Sequence, residues 1–453
     1  MKIRRIIKIG VYDIAVLIAV LIVMVIVFLT QMLIVYSIPT ERMFSNAKQS
    51  KEVFSANCFT AWTPYIDSAK ASYSTDAIMI SCAIYSNKEN RTVYNALMNP
   101  RYENGRGIPE QSLIEVLEYN RGCDILLNRS AMTKADSFKD EKNTTGELET
   151  MYYPRYWHGY LVLIKPLLLF FNISEIKMLS LMIFCILTAI TLLLIAQKIG
   201  KGAAFSFLTM VIILNPITIV LNIAETTVYV LLLVVCDCLL ARSDIFIERK
   251  NASILFIIIG GTTCFLDFLT YPLVTLGIPL ALLVLIYYED VKIISVLFRN
   301  SFAWGFGYAG SWLGKFGVCT ILTDYDAFSY GIKSVVFRLG TGATSHSYGT
   351  SIYTSLISNV RVLMNWQSFA IILIVFSIII VMLVKGYQKI ICKKLMIALF
   401  IISLMPFIWY ILLSNHSTIH YYFTYRELAI TWFCVVTILL DGWKARTSND
   451  FLE

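Results

Sequence analysis

The sequence predicts an all-α polytopic membrane protein with about ten transmembrane helices, a large outer loop after the first of them, and short interfacial helices. Of 453 residues, 57% are hydrophobic and only 15% are charged, whereas a soluble domain carries about a quarter charged residues. The apolar residues fall into blocks of about 17–25, long enough to cross a hydrocarbon core of roughly 30 Å. The net charge of +8 does not indicate nucleic-acid binding, because the lysines and arginines collect between the apolar blocks.

The first apolar block, residues 11–36, follows the basic start MKIRRIIK and is too long for the core of a signal peptide. It predicts a retained span with a cytoplasmic N-terminus. Nine further spans are predicted at residues 175–196, 203–221, 224–241, 253–267, 271–288, 301–322, 367–384, 395–413 and 427–443. The connections assigned to the cytoplasm are rich in lysine and arginine, whereas the three short outer connections hold only Arg426. Both termini are therefore predicted to be cytoplasmic, in a multi-pass protein of the cell membrane.

This topology divides the chain into five parts. They are the basic N-terminus and first span (1–36), an outer loop domain ending in an interfacial helix (37–174), spans two to seven (175–322), a second outer loop (323–366), and the last three spans with a cytoplasmic tail (367–453). Within the loop domain, PEQSLIEVLEYN from Pro109 predicts an amphipathic helix with proline in its first turn.

All four histidines fall on the outer side in this topology, so any chemistry is expected there: His158, His346, His416 and His420. No Cys/His ligand spacing occurs, so no metal site and no cofactor are predicted. Among the three outer cysteines, Cys58, Cys82 and Cys123, one disulfide can form.

The stretch MYYPRYWHGY, residues 151–160, holds five aromatic rings beside a long apolar run. Its tyrosines and tryptophan are typical of an anchor at a membrane interface. Arg155 and His158 favour a role in lining a functional site instead, because an interface anchor needs neither a guanidinium nor an imidazole group. The following run, 160–171, is too short to span and predicts a helix lying in the interface.

Four stretches follow one another in order along residues 11–245. They are IPTER after the first span, YPRY at 153–156, SEIKML at 174–179, and AETTVY at 224–229 leading to Ala241-Arg242. This order resembles the GT-C class of polytopic glycosyltransferases, in the protein-mannosyltransferase-like group. The resemblance implies transfer of a sugar from a polyprenyl-phosphate carrier to a glycan, lipid or protein acceptor at the outer face. The family's usual Asp-Glu pair is represented only by Thr40-Glu41, and the use of a divalent metal is left open.

Such a transfer requires a carboxylate that takes the acceptor proton, donors that hold the departing lipid phosphate, and an apolar groove for the lipid. Glu41, a few residues beyond the first span, is the first candidate for the base. Asp76 is the second, although it could equally be a first-turn acid of a helix. Asp267 interrupts an apolar stretch, where ionisable residues are costly, so it either caps the next helix or lines the site.

Two outer stretches are candidates for the phosphate site. The first, residues 336–349, places Arg338 before a run of glycines and hydroxyls that contains His346, and its backbone N–H groups could form an anion-binding concavity. The alternative is a flexible loop.

The second stretch, residues 414–427, carries His416 and His420 four residues apart and then Arg426. On a helix the two histidines share a face. They could bind a phosphate together with Arg426, or the stretch could only anchor the chain in the interface. A zinc hydrolase is disfavoured because the HExxH glutamate is missing.

The expected partners are a polyprenyl-phosphate-linked sugar, the lipid bilayer and an acceptor, with no nucleic acid. Two other classes remain open. A transporter or flippase for a lipid-linked glycan usually shows internal repeats and mid-membrane charges, which are not evident here. If the chain is a non-catalytic membrane scaffold, substituting Glu41, Asp76 or Arg426 should leave its function intact.

Overall fold

The computed structural model describes residues 2–54, 59–61, 70–104, 109–118, 148–246, 249–287, 293–339, 350–389 and 392–445. In these ranges six helices are long and apolar enough to cross a membrane: Ala15–Tyr36, Ile173–Lys198, Ile223–Ala241, Trp366–Val384, Lys393–Leu412 and Tyr421–Leu440. The predicted class, an all-α membrane protein, is confirmed. The predicted count of about ten spans is not, because several apolar helices are shorter than 18 residues, among them Lys201–Ile213, Asn251–Leu266 and Val274–Ile286.

The first part of the chain runs from the long N-terminal helix through the loop domain to the second long helix. Its elements are α1 (Lys2–Tyr36), α2 (Glu41–Lys48), a 3-10 turn (Lys51–Phe54), β1 (Phe59–Ala61), β2 (Lys70–Ser72), α3 (Tyr73–Ile84), α4 (Thr92–Met98), β3 (Pro100–Asn104), α5 (Pro109–Glu118), β4 (Leu148–Tyr152), α6 (Leu161–Leu168) and α7 (Ile173–Lys198). We call the side of the bundle that carries the segment between α1 and α7 the loop side. Cys82 is buried and unpaired, and Cys58 and Cys123 lie outside the described residues.

After α7, the regular elements of the described residues are helices, short 3-10 turns and two short strands. They are α8 (Lys201–Ile213), α9 (Pro216–Leu221), α10 (Ile223–Ala241), α11 (Ser243–Phe246), α12 (Arg249–Leu266), α13 (Val274–Ile286), α14 (Ile293–Thr323), α15 (Ala327–Arg338), α16 (Ile352–Val362), α17 (Trp366–Val384), β5 (Tyr387–Lys389), α18 (Lys393–Ser403), α19 (Met405–Leu412), α20 (Ser414–Ile419), α21 (Tyr421–Thr424), a 3-10 turn (Tyr425–Leu428), α22 (Ala429–Leu440) and β6 (Trp443–Ala445).

Local sequence explains where several helices begin and end. The Asn172 side chain accepts from the Glu175 N–H, and the Glu175 carboxylate accepts from the Asn172 N–H, so a capping box starts α7. The predicted span 203–221 is instead two helices, because Asn215 adopts a positive φ of 53° and Pro216 opens α9. Proline cannot continue the hydrogen-bond ladder of α8, so the chain turns there.

Two small sheets fasten segments that are distant in sequence. β3 and β4 pair antiparallel, with Arg101 opposite Met151, so the loop domain is joined directly to the aromatic stretch at 151–160. β5 and β6 pair antiparallel beyond the C-terminal end of α22. Lys389 on β5 donates to the last carbonyls of that helix, at Ile438 and Leu439, where a cation is favourable.

Two buried lysines hold the loop domain in place, Lys165 by a bond within the domain and Lys315 by a bond from α14. The Lys165 ammonium on α6 donates to the carbonyl of Ala83 in α3 at 2.8 Å. The Lys315 ammonium on α14 donates to the carbonyl of Leu97 in α4 at 2.7 Å and lies over the Trp157 ring. Both side chains are fully buried, so the loop domain is docked by contacts that water does not reach.

Helices α12 and α14 approach so closely that glycine is required at the contact. A Cβ added to Gly307 would overlap the backbone carbonyl of Ile257, and one added to Gly260 would overlap that of Trp304. Small residues at membrane helix crossings allow backbones to pack in this way. The close pair matters for function because α12 ends at the candidate site described below.

Substituting Gly307 with alanine is therefore expected to lower the free energy of unfolding by about 1–3 kcal/mol, since the methyl group forces the two helices apart. The loss should appear as a lower thermal unfolding midpoint of the detergent-solubilised protein. The matched control is Gly305→Ala on the same helix, because a Cβ there meets no atom within 4 Å. The control should be neutral or slightly stabilising, since alanine has the higher helix propensity. Equal losses in both variants would show that the crossing is not tight.

Candidate functional site

Four segments meet on the loop side of the bundle. They are the stretch before α6, the turn between α12 and α13, helix α15, and helix α20. Tyr156 stacks on Phe268 with ring centroids 4.8 Å apart and accepts a hydrogen bond from Arg338. His416 Nε2–H donates to the carbonyl of Leu269 at 2.9 Å. We call the polar side chains brought together here the arginine–histidine cluster: Arg101, Arg155, His158, Asp267, Arg338, His416 and His420.

The backbone of the cluster is held in unusual conformations. His158 has φ 59° and Leu269 has φ 61°, in the left-handed region that side chains other than glycine rarely adopt. Between them, Gly159 N–H donates to the carbonyl of Phe265 at 2.8 Å, and a Cβ at Gly159 would overlap the Phe265 ring. Such conformations cost of order 1–3 kcal/mol each and persist where the surroundings hold them in place.

His158 is fully hydrogen bonded within the protein. Its Nε2 lies 2.9 Å from the carbonyl of Tyr153, which can only accept, so Nε2 carries the proton. Nδ1 then accepts from the Tyr160 hydroxyl at 2.7 Å. Burial, and next the charge of Lys315, lower the pKa of His158 to about 3, so the ring is neutral at physiological pH. The prediction that His158 binds the substrate phosphate does not fit this geometry, because both ring nitrogens are occupied.

The neutral state of His158 gives a pH prediction. Its folded pKa lies below the usual 6.5, so below that pH the unfolded chain binds the proton and the folded chain does not, and stability falls as pH falls. Between pH 7 and pH 5 the loss is about 2 kcal/mol. Thermal unfolding of the detergent-solubilised protein should therefore show a lower midpoint at pH 5 than at pH 7. His158→Gln should be less stable at pH 7 but less dependent on pH, and an undiminished slope in that variant would contradict the assignment.

The two histidines of α20 lie on one helical face, as their spacing predicts, with ring centroids 4.8 Å apart. His420 stacks on Phe423, and its Nδ1 lies 3.2 Å from the Tyr422 hydroxyl. Burial, then the charges of Arg338 and Arg155, lower the pKa of His420 to about 4. His420 is therefore a neutral side chain facing two guanidinium groups.

Aromatic side chains contact each guanidinium group of the cluster. Arg155 lies between the rings of Tyr153 and Tyr330, 5.5 and 5.3 Å from their centroids, and donates to the Tyr330 hydroxyl at 3.2 Å. Arg338 donates to the Ser334 carbonyl and to the Tyr156 hydroxyl. Its Nε is buried and has no hydrogen-bond partner among the described residues, so a donor remains for a ligand.

Arg101 belongs to the cluster although no local motif marks it. Its guanidinium lies over the ring of Tyr153, 5.9 Å from the centroid, and its charge contributes to the low pKa of His158. It reaches this position only because β3 pairs with β4. Nothing in the sequence around Arg101 indicates that pairing, so sequence reasoning could not have included it.

Asp267 supplies a carboxylate to the cluster. One oxygen, Oδ1, accepts from the N–H and the hydroxyl of Thr270, at 2.9 and 2.6 Å. Glu427 lies behind this turn and accepts from the Leu273 N–H at 3.0 Å, at the start of α13. The described part of the cluster brings three arginines close to Asp267, and guanidinium groups are well suited to binding an anion.

An apolar groove of about 750 Å³ has part of its wall in the residues that directly precede Asp267. It lies between α1, α6 and α12, and its lining includes Val23, Phe28, Leu163, Phe265 and Leu266. Phe265 and Leu266 immediately precede Asp267, and Phe265 stacks on Phe28 at 4.2 Å. Val23 is 58% exposed and Leu163 is 49% exposed, so the groove is open at the surface of the protein. Asp267 of the cluster directly follows two residues of the groove wall in the chain.

The structure places the two predicted catalytic acids elsewhere. Glu41 begins α2 with a side chain 63% exposed, and Lys88 is its ion-pair partner at 3.5 Å. Asp76 is fully buried in α3, where it accepts from the N–H of Ile223 at 2.7 Å and pairs with Lys177 at 2.9 Å. Neither geometry fits a base that meets substrate, because one faces solvent beside a lysine and the other is closed inside an ion pair.

Arg426 also lies outside the cluster. It forms a buried ion pair with Glu225 at 2.9 Å and donates to the Thr218 hydroxyl at 2.9 Å. The prediction that Arg426 binds phosphate does not fit, because Glu225 already supplies its counter-charge in a buried pair. His346 lies outside the described residues. In the part of the chain that the structure describes, no group of three or more His, Cys, Asp or Glu side chains could hold a metal ion.

No protein-family model, curated protein or solved structure matches the chain. The site is therefore interpreted from its own geometry. A cluster rich in guanidinium groups, beside an apolar groove that is open at the protein surface, can bind an anionic headgroup while the attached chain remains in a membrane-like environment.

Proposed function

We propose that the chain is a membrane glycosyltransferase that moves a sugar from a polyprenyl-phosphate donor to a glycan, lipid or protein acceptor at the outer face of the cell membrane. The observation that carries this proposal is that one segment, residues 265–269, forms part of the wall of the apolar groove and also contacts the arginine–histidine cluster. A donor of this class has two parts of opposite character, a charged phosphate and a long apolar chain, and needs both environments side by side.

The cations suit the departing phosphate. As the bond between the sugar and the phosphate breaks, negative charge grows on the phosphate oxygen, and positioned donors stabilise it more than they stabilise the intact donor. Guanidinium groups can bind two oxygens at once. Arg155 and Arg338 are oriented by tyrosine rings and hydroxyls, so little reorganisation is needed when the charge develops.

The groove suits the lipid chain. Its volume of about 750 Å³ is in the range of pockets that enclose ligands, and it is lined almost entirely by apolar side chains. Because the groove is open at the protein surface, a donor could enter sideways without leaving the bilayer. The order of motifs in residues 11–245 that resembles the GT-C class points to the same activity, with the loop side outside and both termini in the cytoplasm.

A transporter for the same lipid-linked sugar would also need an anion site and a groove. The two possibilities differ in the product, since a transporter moves the donor across the bilayer unchanged. Membranes that contain the chain should be incubated with a panel of radiolabelled polyprenyl-phosphate sugars, following label in acceptor and donor location separately. We expect label to move into acceptor material with the wild type and not with Arg338→Gln. Translocation of intact donor without transfer would contradict the proposal.

A further inference from the structure

The two carboxylate oxygens of Asp267 have different environments. Oδ1 accepts both hydrogen bonds from Thr270 and so holds the turn between α12 and α13. Oδ2 is buried and has no hydrogen-bond partner among the described residues. A buried carboxylate oxygen without a donor is costly and needs an explanation, and a ligand hydroxyl is a natural partner. The backbone N–H groups of Phe268 and Leu269 also favour the ionised carboxylate, but no described residue donates a hydrogen bond of normal geometry to Oδ2.

The residues next to Asp267 in the chain contact both regions that the proposed substrate would occupy, the apolar groove and the arginine–histidine cluster. Phe265 and Leu266, which line the apolar groove, directly precede Asp267 in the chain. Phe268, which directly follows it, stacks on Tyr156, the tyrosine that binds Arg338. The carbonyl of Leu269 is held by His416. The residues on both sides of Asp267 in the chain thus join the wall of the groove to Tyr156 and His416 of the candidate site.

Other acids near this end of the bundle are engaged differently. Asp76 and Glu225 each pair with a buried cation, Lys177 and Arg426. Glu427 also has a free buried oxygen, but it lies behind the turn and caps the start of α13. It therefore serves as the matched control for Asp267.

We propose that Asp267 is the catalytic base of the transfer, an inference that rests on the proposed function. Oδ2 accepts the proton of the acceptor hydroxyl as the acceptor oxygen forms its bond to the anomeric carbon of the sugar. The bond from that carbon to the lipid phosphate oxygen breaks at the same time, and its electron pair stays on the phosphate, beside Arg155 and Arg338. Asp267 ends protonated and returns the proton to solvent after the products leave.

The test compares Asp267→Asn with Thr270→Val and Glu427→Gln in the transfer assay, normalised to folded protein. Asp267→Asn keeps the volume and the Oδ1 acceptor but removes the base, so transfer should fall at least about 100-fold, the usual contribution of general-base catalysis. Binding of polyprenyl phosphate, measured by its protection against thermal unfolding, should change by less than about threefold. Thr270→Val removes the hydroxyl bond to Oδ1 and keeps the backbone N–H bond, and Glu427→Gln removes the neighbouring charge. Both variants should retain transfer within about fivefold, because neither substitution touches Oδ2.

The pH profile provides a readout that a structural role would not alter. Transfer by the wild type should rise with pH on the acidic limb as the base ionises, and the residual rate of Asp267→Asn should lack that limb. If the asparagine variant does not fold, Asp267→Glu takes its place. Its transfer rate should be lowered at least about tenfold, because the carboxylate is displaced by one methylene. The acidic limb of its pH profile should remain, because a carboxylate is still present.

If the Asp267→Asn variant, or Asp267→Glu where it is used, transfers sugar at the wild-type rate, Asp267 is not the base. The proposed function would still stand. An equal loss in Thr270→Val would also overturn the inference and assign Asp267 to the turn. Absence of transfer in the wild type itself, with every donor, would overturn the proposed function and this inference together.

Discussion

Replacing Arg338 with glutamine is expected to lower sugar transfer by about 100- to 1000-fold, because one preorganised donor to the developing phosphate charge is worth about 3–4 kcal/mol. Glutamine keeps hydrogen-bonding capacity but not the charge or the fork of donors. Arg338→Lys should recover only part of the rate, since a lysine cannot bind two phosphate oxygens in one plane. The measurement is the rate of label transfer per folded molecule under saturating donor.

The matched control for Arg338 is Arg361→Gln. Arg361 lies in the last turn of α16 and is exposed, so the substitution removes an equal charge away from the cluster. Transfer should stay within about twofold, since exposed charges contribute little. An equal loss in both variants would mean that overall charge, and not the cluster, governs the reaction.

Replacing Asp76 with asparagine is expected to destabilise the protein by about 3–5 kcal/mol, because the buried ammonium of Lys177 is left without its counter-charge. The folded fraction should still transfer sugar at nearly the wild-type rate, since Asp76 does not contact the cluster. Thermal unfolding and transfer per folded molecule measure the two effects separately.

A double variant supplies the control. Asp76→Leu with Lys177→Met replaces the buried pair by apolar side chains, and such replacements are often neutral. The double variant should be more stable than Asp76→Asn, although it also removes the bonds of Asp76 to Ile223 and of Lys177 to the Leu221 carbonyl. A folded Asp76→Asn protein without transfer would restore Asp76 to the mechanism.

Much of the helical framework could be predicted because its signals are local. The proline at 109 and the apolar spacing after it predict α5, found at Pro109–Glu118. The run after Tyr160 predicts a helix too short to span a membrane, and α6 is found there; its position in the interface stays a prediction. The predicted span 203–221 is wrong as a single helix, because mean hydropathy over about twenty residues does not detect the helix break at Asn215 and Pro216.

The site could be predicted only in part, because its partners are set by tertiary contacts. The spacing of His416 and His420 predicts a shared helical face, which the structure confirms. The partner of Asp76 is Lys177, on a helix that sequence spacing does not connect to it. Arg101 enters through a strand pairing. Charge and hydropathy identify residues able to do chemistry, but which of them is enclosed in an ion pair depends on packing.

Photolabelling with a polyprenyl phosphate that carries a photoreactive group in its first isoprene units shows which of two apolar grooves binds the lipid. A second apolar groove, of about 370 Å³, lies between α16, α17, α19 and α22 and provides the internal comparison. With the protein in lipid nanodiscs, label should appear on peptides from α1, α6 and α12, and should fall when Arg155 and Arg338 are both replaced by glutamine. Label confined to α17 and α22, or unchanged by the loss of both arginines, would contradict a phosphate site at the arginine–histidine cluster.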